Sequence, residues 1–234
     1  MRDKLKGKRI TVWTFMGNAR MYEALRDYGD RIDTIGLFSF KVDKTGTITE
    51  SGVAISNMLT YINKWPHLRW LLTVANDGAN SIFKALRDNT DGAQDKFCSE
   101  LVRIMEKYPW CSGVDIDLEK GDDYSTRGAS TAMFAHIYIT VKAYDPTKEM
   151  NICLPGMTSV NGSVGGENWC VYGDLDKYCD IQYFLSPLPQ RTLPVVFSLK
   201  KRRAYMPAFS MVIFSFHFLT IVSMNSNFLC VSLR

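Results

Sequence analysis

The chain has 234 residues, 46% of them hydrophobic, with 28 Lys/Arg against 24 Asp/Glu for a formal net charge of +4. That is enough apolar material for one substantial core, and it excludes a disordered chain. The positive excess lies wholly in residues 181 to 234, with six Lys/Arg and no acid, so residues 1 to 180 sit at −2 and charge excludes nucleic acid as a partner of the main body.

Short apolar runs alternate with longer segments of helical period, the pattern of repeated βα units. The first run is Arg9 to Phe15, followed by a predicted helix over Ala19 to Tyr28. The second is Ile32 to Phe40, then a helix over about Val53 to Lys64 that Pro66 stops. The third, Leu68 to Ala75, precedes a helix near Ser81 to Asp88 and a longer one from Asp91 to Lys107. In the longer helix Phe97, Leu101, Ile104, Met105 and Tyr108 recur every three or four residues, so one stripe faces a core. The fourth run is Gly113 to Leu118. It is followed by a helix over Ser130 to Ala143, with Met133, Phe134, Ile137 and Val141 on one face. The fifth run is Met150 to Leu154, ended by Pro155-Gly156, and the sixth is roughly Tyr178 to Leu185. Between them, residues 158 to 176 read as a Gly-, Ser- and Asn-rich loop without regular structure. The runs begin about 34 residues apart on average, the size of a βα unit. Six parallel strands by residue 185 imply a barrel or a doubly wound sheet. Eight units need about 250 residues, so a barrel would be incomplete here.

Six cysteines follow no C-x-x-C or Cys/His ligand spacing, so no metal site is expected and buried free thiols are the first reading. A Cys170 to Cys179 disulfide is compatible with an oxidising compartment. The opening MRDKLKGKRI has no apolar core before Ile10, so no secretory signal is expected there, and the localisation stays open.

At about residue 187 the character changes. Residues 1 to 186 read as the α/β domain and 187 to 234 as an atypical tail, with KKRR at Lys200 to Arg203 and then no charged side chain from Ala204 to Leu233. As a helix, 206 to 224 would be about 28 Å long, which suits a membrane or interfacial segment with the basic cluster on the cytoplasmic side. The missing acids and missing amphipathic period fit better a terminus not selected with the rest of the chain, so membrane is not the favoured partner. A genuine barrel element is the third reading.

The chemistry lies in the fourth run, Ser112-Gly113-Val114-Asp115-Ile116-Asp117-Leu118-Glu119. Carboxylates at i, i+2 and i+4 share one face of a strand, with Val114, Ile116 and Leu118 on the other. Like charges in a row on one face oppose a strand, so a functional site is the stronger reading. Successive carboxylates stand about 6.6 Å apart along the strand, near enough to lean together and share a proton. Burial and a like-charged neighbour hold one member protonated near neutrality. Glu119, last on the strand and at the C-terminal, active end of such sheets, is expected to be that member and the general acid. Asp117 would trade the proton and stabilise developing positive charge, and Asp115 would hold Asp117 in register. A protonated carboxyl in a cleft suits protonation of a leaving oxygen, as in glycoside hydrolysis.

The string SGVDIDLE resembles the D-G-x-D-x-D-x-E signature of glycoside hydrolase family 18, the chitinase-like (β/α)8 TIM barrels that carry it on strand four; here it also falls on the fourth run. The resemblance implies substrate-assisted, retaining cleavage of a glycan containing β-linked N-acetylglucosamine, chitin or peptidoglycan, in a cell wall or outside the cell. Glu119 would protonate the glycosidic oxygen, the 2-acetamido oxygen would attack the anomeric carbon, and Asp117 would orient and stabilise the resulting intermediate. No metal or organic cofactor is implied. Phe40 on the second run, Met157 past the fifth strand and Tyr183 on the sixth are the implied substrate contacts, and Leu72 to Asn76 lie where the third strand meets the cleft. Trp13, Trp110 and Trp169 are further candidates for sugar platforms. The chain departs from the pattern at Ser112, at Leu118, in Asp180 to Ser186 on the sixth strand, and in lacking a cleft-floor Trp on strand eight. Those departures leave a catalytically inactive glycan-binding protein as the alternative.

Overall fold

The computed structural model describes residues 10–14, 19–50, 58–119, 124–155, 172–185, 195–200 and 231–233. In chain order the elements are β1 (Thr11–Thr14), α1 (Ala19–Tyr28), β2 (Thr34–Val42), β3 (Ile48–Glu50), α2 (Met58–Lys64), β4 (Arg69–Ala75), α3 (Asn80–Arg87) and α4 (Ala93–Lys107). These are followed by β5 (Gly113–Asp117), α5 (Arg127–Tyr144), β6 (Glu149–Pro155), α6 (Tyr172–Leu175), β7 (Ile181–Leu185), β8 (Val195–Lys200) and β9 (Val231–Leu233). The βα alternation read from the apolar runs is the observed order, with strands and helices displaced by a few residues at their ends.

β1, β2, β4, β5, β6 and β7 lie side by side and parallel, which makes them the curved arc of an incomplete (β/α)8 barrel. β8 runs antiparallel to β7 and parallel to β9, and β9 runs antiparallel to β1. The arc that two further βα units would occupy is thus spanned by two strands from the tail. The membrane-like stretch, 206 to 224, lies outside the described residues. Among the described residues no helix is long and apolar enough to cross a membrane.

Two apolar layers result from strand alternation. The larger lies between sheet and helices and takes Val12, Ile35, Leu37, Trp70, Leu72, Val74, Val114, Ile116, Met150 and Ile152 from the strands. Against them pack Phe97, Leu101, Ile104 and Met105 of α4 and Met133, Phe134, Ile137 and Val141 of α5, all fully buried, as the helical spacing predicts. Each such side chain contributes about 1.5–3 kcal/mol on burial. α4 starts where Asn89, in the left-handed region at φ 51°, turns its side-chain oxygen back to accept from the backbone N–H groups of Gln94 and Asp95. The smaller layer is inside the barrel: Trp13, Cys153 and Ile181, with Phe38 against them.

Two departures from the sequence reading concern connections. β3 was not expected; it pairs antiparallel with the end of β2 through a turn in which Asp43 Oδ1 accepts from the backbone N–H groups of Thr45 and Thr47. In that turn Gly46 has φ +80° and lies so close to the Ala93 carbonyl that a Cβ would meet its oxygen at 2.0 Å. Part of the loop expected over 158 to 176 is regular: α6 forms there because Leu175 is fully buried against α5. Cys98, Cys111, Cys153 and Cys179 are buried, and Cys179 Sγ lies 3.3 Å from the Leu175 carbonyl oxygen. Cys170 lies outside the described residues.

Candidate active site

β5 carries the carboxylates, and its start is set by Gly113. This residue has φ +148°, and a Cβ there would meet the Glu149 backbone oxygen at 1.9 Å, so only glycine lets β6 approach. Ser112, at the place of the signature's first Asp, accepts from the Trp70 backbone N–H through its hydroxyl at 3.2 Å. Val114, Ile116 and Leu118 face the helices, which sends Asp115 and Asp117 into the barrel.

Asp115 is fully buried, in a cross-strand row of Phe38, Thr73, Asp115, Asn151 and Ile181. Its Oδ2 accepts from Trp13 Nε1 at 2.7 Å and from the Thr73 hydroxyl at 3.0 Å, and the Cys153 thiol lies 3.6 Å from Oδ1. Burial pushes its pKa above the ordinary carboxylate value, against the lowering effect of those three donors.

Asp117 is one layer nearer the C-terminal rim, opposite the small Ala75. It is 8% exposed, and its Oδ1 has no hydrogen-bond partner among the described residues. Its pKa stands well above the ordinary value, first through burial and then through the negative charges of Glu119, Asp115 and Asp77. Glu119 lies two residues beyond the strand and is exposed. Its main chain is gripped by the side chain of Asn76, whose Oδ1 accepts from the Glu119 N–H and whose Nδ2 donates to the Glu119 carbonyl, both at 2.9 Å. At the same rim Lys41 Nζ pairs with Asp77 Oδ2 at 2.6 Å.

The expectation that Glu119 is the desolvated carboxyl is corrected here. β5 ends at Asp117, so burial falls on Asp117 and the solvent edge on Glu119. Phe40 is also corrected as a substrate contact. A bulge between Phe38 and Phe40 inverts the alternation of β2, so that Phe38 pairs with Thr73 inside the barrel and Phe40 with Val74 outside. Phe40 is 1% exposed and packs edge-on against Tyr108, ring centroids 6.0 Å apart, under α4. Tyr183 stands opposite Cys153 in the β6–β7 register, next to the carboxylate layer. Met157 and Trp169 lie outside the described residues. Trp110 packs on Tyr108 at 5.6 Å in the outer layer, before the start of β5 and away from its carboxylate end. Trp13 is a buried hydrogen-bond donor to Asp115 rather than an open platform.

Sequence reasoning set Thr73 and Asn76 where the third strand meets the cleft, without the bonds they make, and missed Cys153. All three meet the carboxylate row because β4 and β6 flank β5. A groove of about 460 Å³ between α4 and α5, lined by Asp95, Cys98, His136 and Thr140 among others, belongs to the outer surface. Burial pushes the Cys98 thiol up, which makes it a poor nucleophile near neutrality.

No protein-family model and no curated protein matches the sequence. Solved structures do match its fold. A chitinase from Chromobacterium violaceum superposes with a TM-score of 0.63 at 16% identity, over 74% of this chain and 54% of that one. The spore cortex-lytic enzyme SleL of Bacillus megaterium gives 0.62 at 16% identity, over 75% and 41%. A family 18 N-acetylglucosaminidase from Paenibacillus barengoltzii gives 0.58 at 13% identity, over 75% and 52%. The chain therefore has the chitinase-like barrel fold of glycoside hydrolase family 18, and spans about half the length of these structures.

Proposed function

We propose that the chain is a glycosidase acting on glycan with β-linked N-acetylglucosamine, chitin or peptidoglycan, by substrate-assisted retaining catalysis. The observation that carries this reading is the graded burial of Asp115, Asp117 and Glu119 along β5 and just past its end, with a raised pKa on the middle member. In the free protein Asp117 holds the proton and Glu119 is open to solvent. Once a glycan covers the rim, Asp117 gives its proton to Glu119, and Glu119 passes it to the glycosidic oxygen as the bond breaks. The substrate's acetamide oxygen attacks the anomeric carbon, and the carboxylate left on Asp117 accepts from the acetamide N–H. Glu119 then takes a proton from the water that opens the intermediate and, once the product has left, returns it to Asp117, which restores the starting state. Asp115 keeps a negative or hydrogen-bonding oxygen beneath Asp117. Residue spacing along β5, the family 18 fold and the activities named for the similar structures all support this chemistry.

The second reading, an inactive glycan-binding barrel, is favoured by one observation: Ser112 stands at the place of the signature's first Asp and bonds the Trp70 main chain where the pattern has a carboxylate. The two separate with a fluorogenic N-acetylglucosamine oligomer, tested on the full chain and on Glu119→Gln. Hydrolysis by the wild type, lost in Glu119→Gln with oligomer binding retained, is the expected result. Equal background rates with retained binding would establish the binding protein instead.

A further inference from the structure

We infer that Asn76 is a positioning residue for Glu119, holding the acid at a point the sheet itself does not reach; the inference rests on the proposed role of Glu119. The parallel ladder between β4 and β5 ends at the pair Ala75 and Asp117. Glu119 lies two residues further on, where a chain leaving a strand would otherwise be free to splay. The amide of Asn76 takes over the task of the missing peptide unit. One face of it accepts and donates to the Glu119 backbone, each bond 2.9 Å long. Since both main-chain groups of one residue are bound by one planar group, the direction of the Glu119 Cα–Cβ bond is fixed relative to β4.

The clamp is itself held rigid. Asn76 Oδ1 also accepts from the Gly78 N–H at 3.2 Å, and Nδ2 also donates to the Ala79 carbonyl at 3.2 Å. The turn is closed by the Ala79 N–H on the Asn76 carbonyl at 3.0 Å, with Asp77 and Gly78 at φ 50° and 67°. Asn76 is 1% exposed, so water does not compete for these bonds. Only an amide fits: a carboxylate would keep the acceptor for the Glu119 N–H and turn a second oxygen toward the Glu119 carbonyl. A misplacement of about 1 Å at a reacting group costs on the order of 100-fold in rate, so this contact acts on kcat. Recognition of glycan elsewhere in the cleft does not pass through it.

The test uses the full chain, its Asn76→Ala and Asn76→Asp variants, and Glu119→Gln as reference. Rates on the fluorogenic oligomer are measured beside amide hydrogen exchange of Val114, Ile116 and Glu119. For Asn76→Ala the expected result is a kcat lower by about 100-fold with KM within about twofold. Exchange at Glu119 should then accelerate while Val114 and Ile116 keep their protection. Asn76→Asp, which preserves volume and the acceptor, should lose kcat with less gain in exchange. An unchanged kcat in Asn76→Ala, with Glu119→Gln inactive, would overturn the positioning role and leave the function standing. Faster exchange at Val114 and Ile116 in parallel with Glu119, in both variants, would also overturn it, since the residue would then only support the sheet. If Glu119→Gln is as active as the wild type, the proposed function fails, and this inference with it.

Discussion

Trp13 and Asp115, 102 positions apart, are joined by an indole N–H donated to Oδ2 at 2.7 Å, which ties the first strand of the barrel to its fourth parallel strand across the interior. The indole fits there because Gly36 lies beside it: a Cβ on Gly36 would meet Trp13 Cδ1 at 2.5 Å. Trp13→Phe keeps most of the bulk and removes the donor, leaving Thr73 and Cys153 to satisfy Asp115. The expected loss is about 1–3 kcal/mol in urea unfolding, the cost of depriving a buried acceptor. Because the Trp13 bond lowers the Asp115 pKa, its removal should raise that pKa further, which carboxyl NMR titration would follow. An Asp115 titration unchanged in Trp13→Phe would show that the bond carries no electrostatic weight.

Asp117 should make the protein less stable as pH rises. Its pKa is raised in the folded state, so between the ordinary carboxylate range and that raised value the folded chain binds more protons than the unfolded one. Stability therefore falls with pH through this window, and the penalty is complete above it. Asp117→Asn removes the titration. The variant should be more stable than wild type by about 1–3 kcal/mol at mildly alkaline pH, with the gain vanishing at acid pH where both side chains are neutral. Unfolding curves across pH 3 to 8 check it, with pH points on the order of one unit apart. A gain that is constant with pH would mean that packing, not charge, separates the two side chains. Under the proposed function this stabler variant is also the inactive one.

The strand holding the carboxylates could be read from sequence because β5 combines strict alternation with an apolar outer face, and both periods survive folding. The helices could be read for the same reason: α4 and α5 bury the residues that recur at three and four. Parity is also where the reading failed. It assumes an uninterrupted strand, and the bulge at Ser39 puts Phe38 and Phe40 on opposite faces, with no residue in GLFSF to announce it. Burial of Asp117 rather than Glu119 depends on where β5 stops pairing with β4, a property of two strands rather than one. The partners Trp13, Thr73, Cys153 and Asn76 come from three other strands or their ends, so only topology could bring them to β5. The acid-free tail offered no period at all, yet its two short strands pair with β7 and β1.

The hairpin that the end of β2 forms with β3 is fastened to α4 by two carboxylates, Glu50 and Glu100. Glu50 accepts from Lys107 Nζ at 2.8 and 3.0 Å and from the Tyr108 hydroxyl at 2.5 Å, and Glu100 Oε2 accepts from the Ile48 N–H at 3.2 Å. Tyr108 is the ring on which Phe40 rests, so the same fastening holds the bulged strand that presents Phe38 to the interior. Partial burial opposes ionisation of Glu50, and the bonds from Lys107 and Tyr108, with the charges of Lys107 and Arg103, outweigh it and hold its pKa below the ordinary value. The unfolded chain therefore binds more protons than the folded one between those two values. The contribution is present above the ordinary range and is lost as pH falls through the lowered pKa. Glu50→Gln should cost about 1 kcal/mol at neutral pH, a figure kept low because Lys107 and Arg103 are largely in solvent. The difference from wild type should close in strong acid, and it should shrink with added salt at neutral pH. A cost that persists in acid would assign the fastening to the shape of the Tyr108 contact instead of to charge.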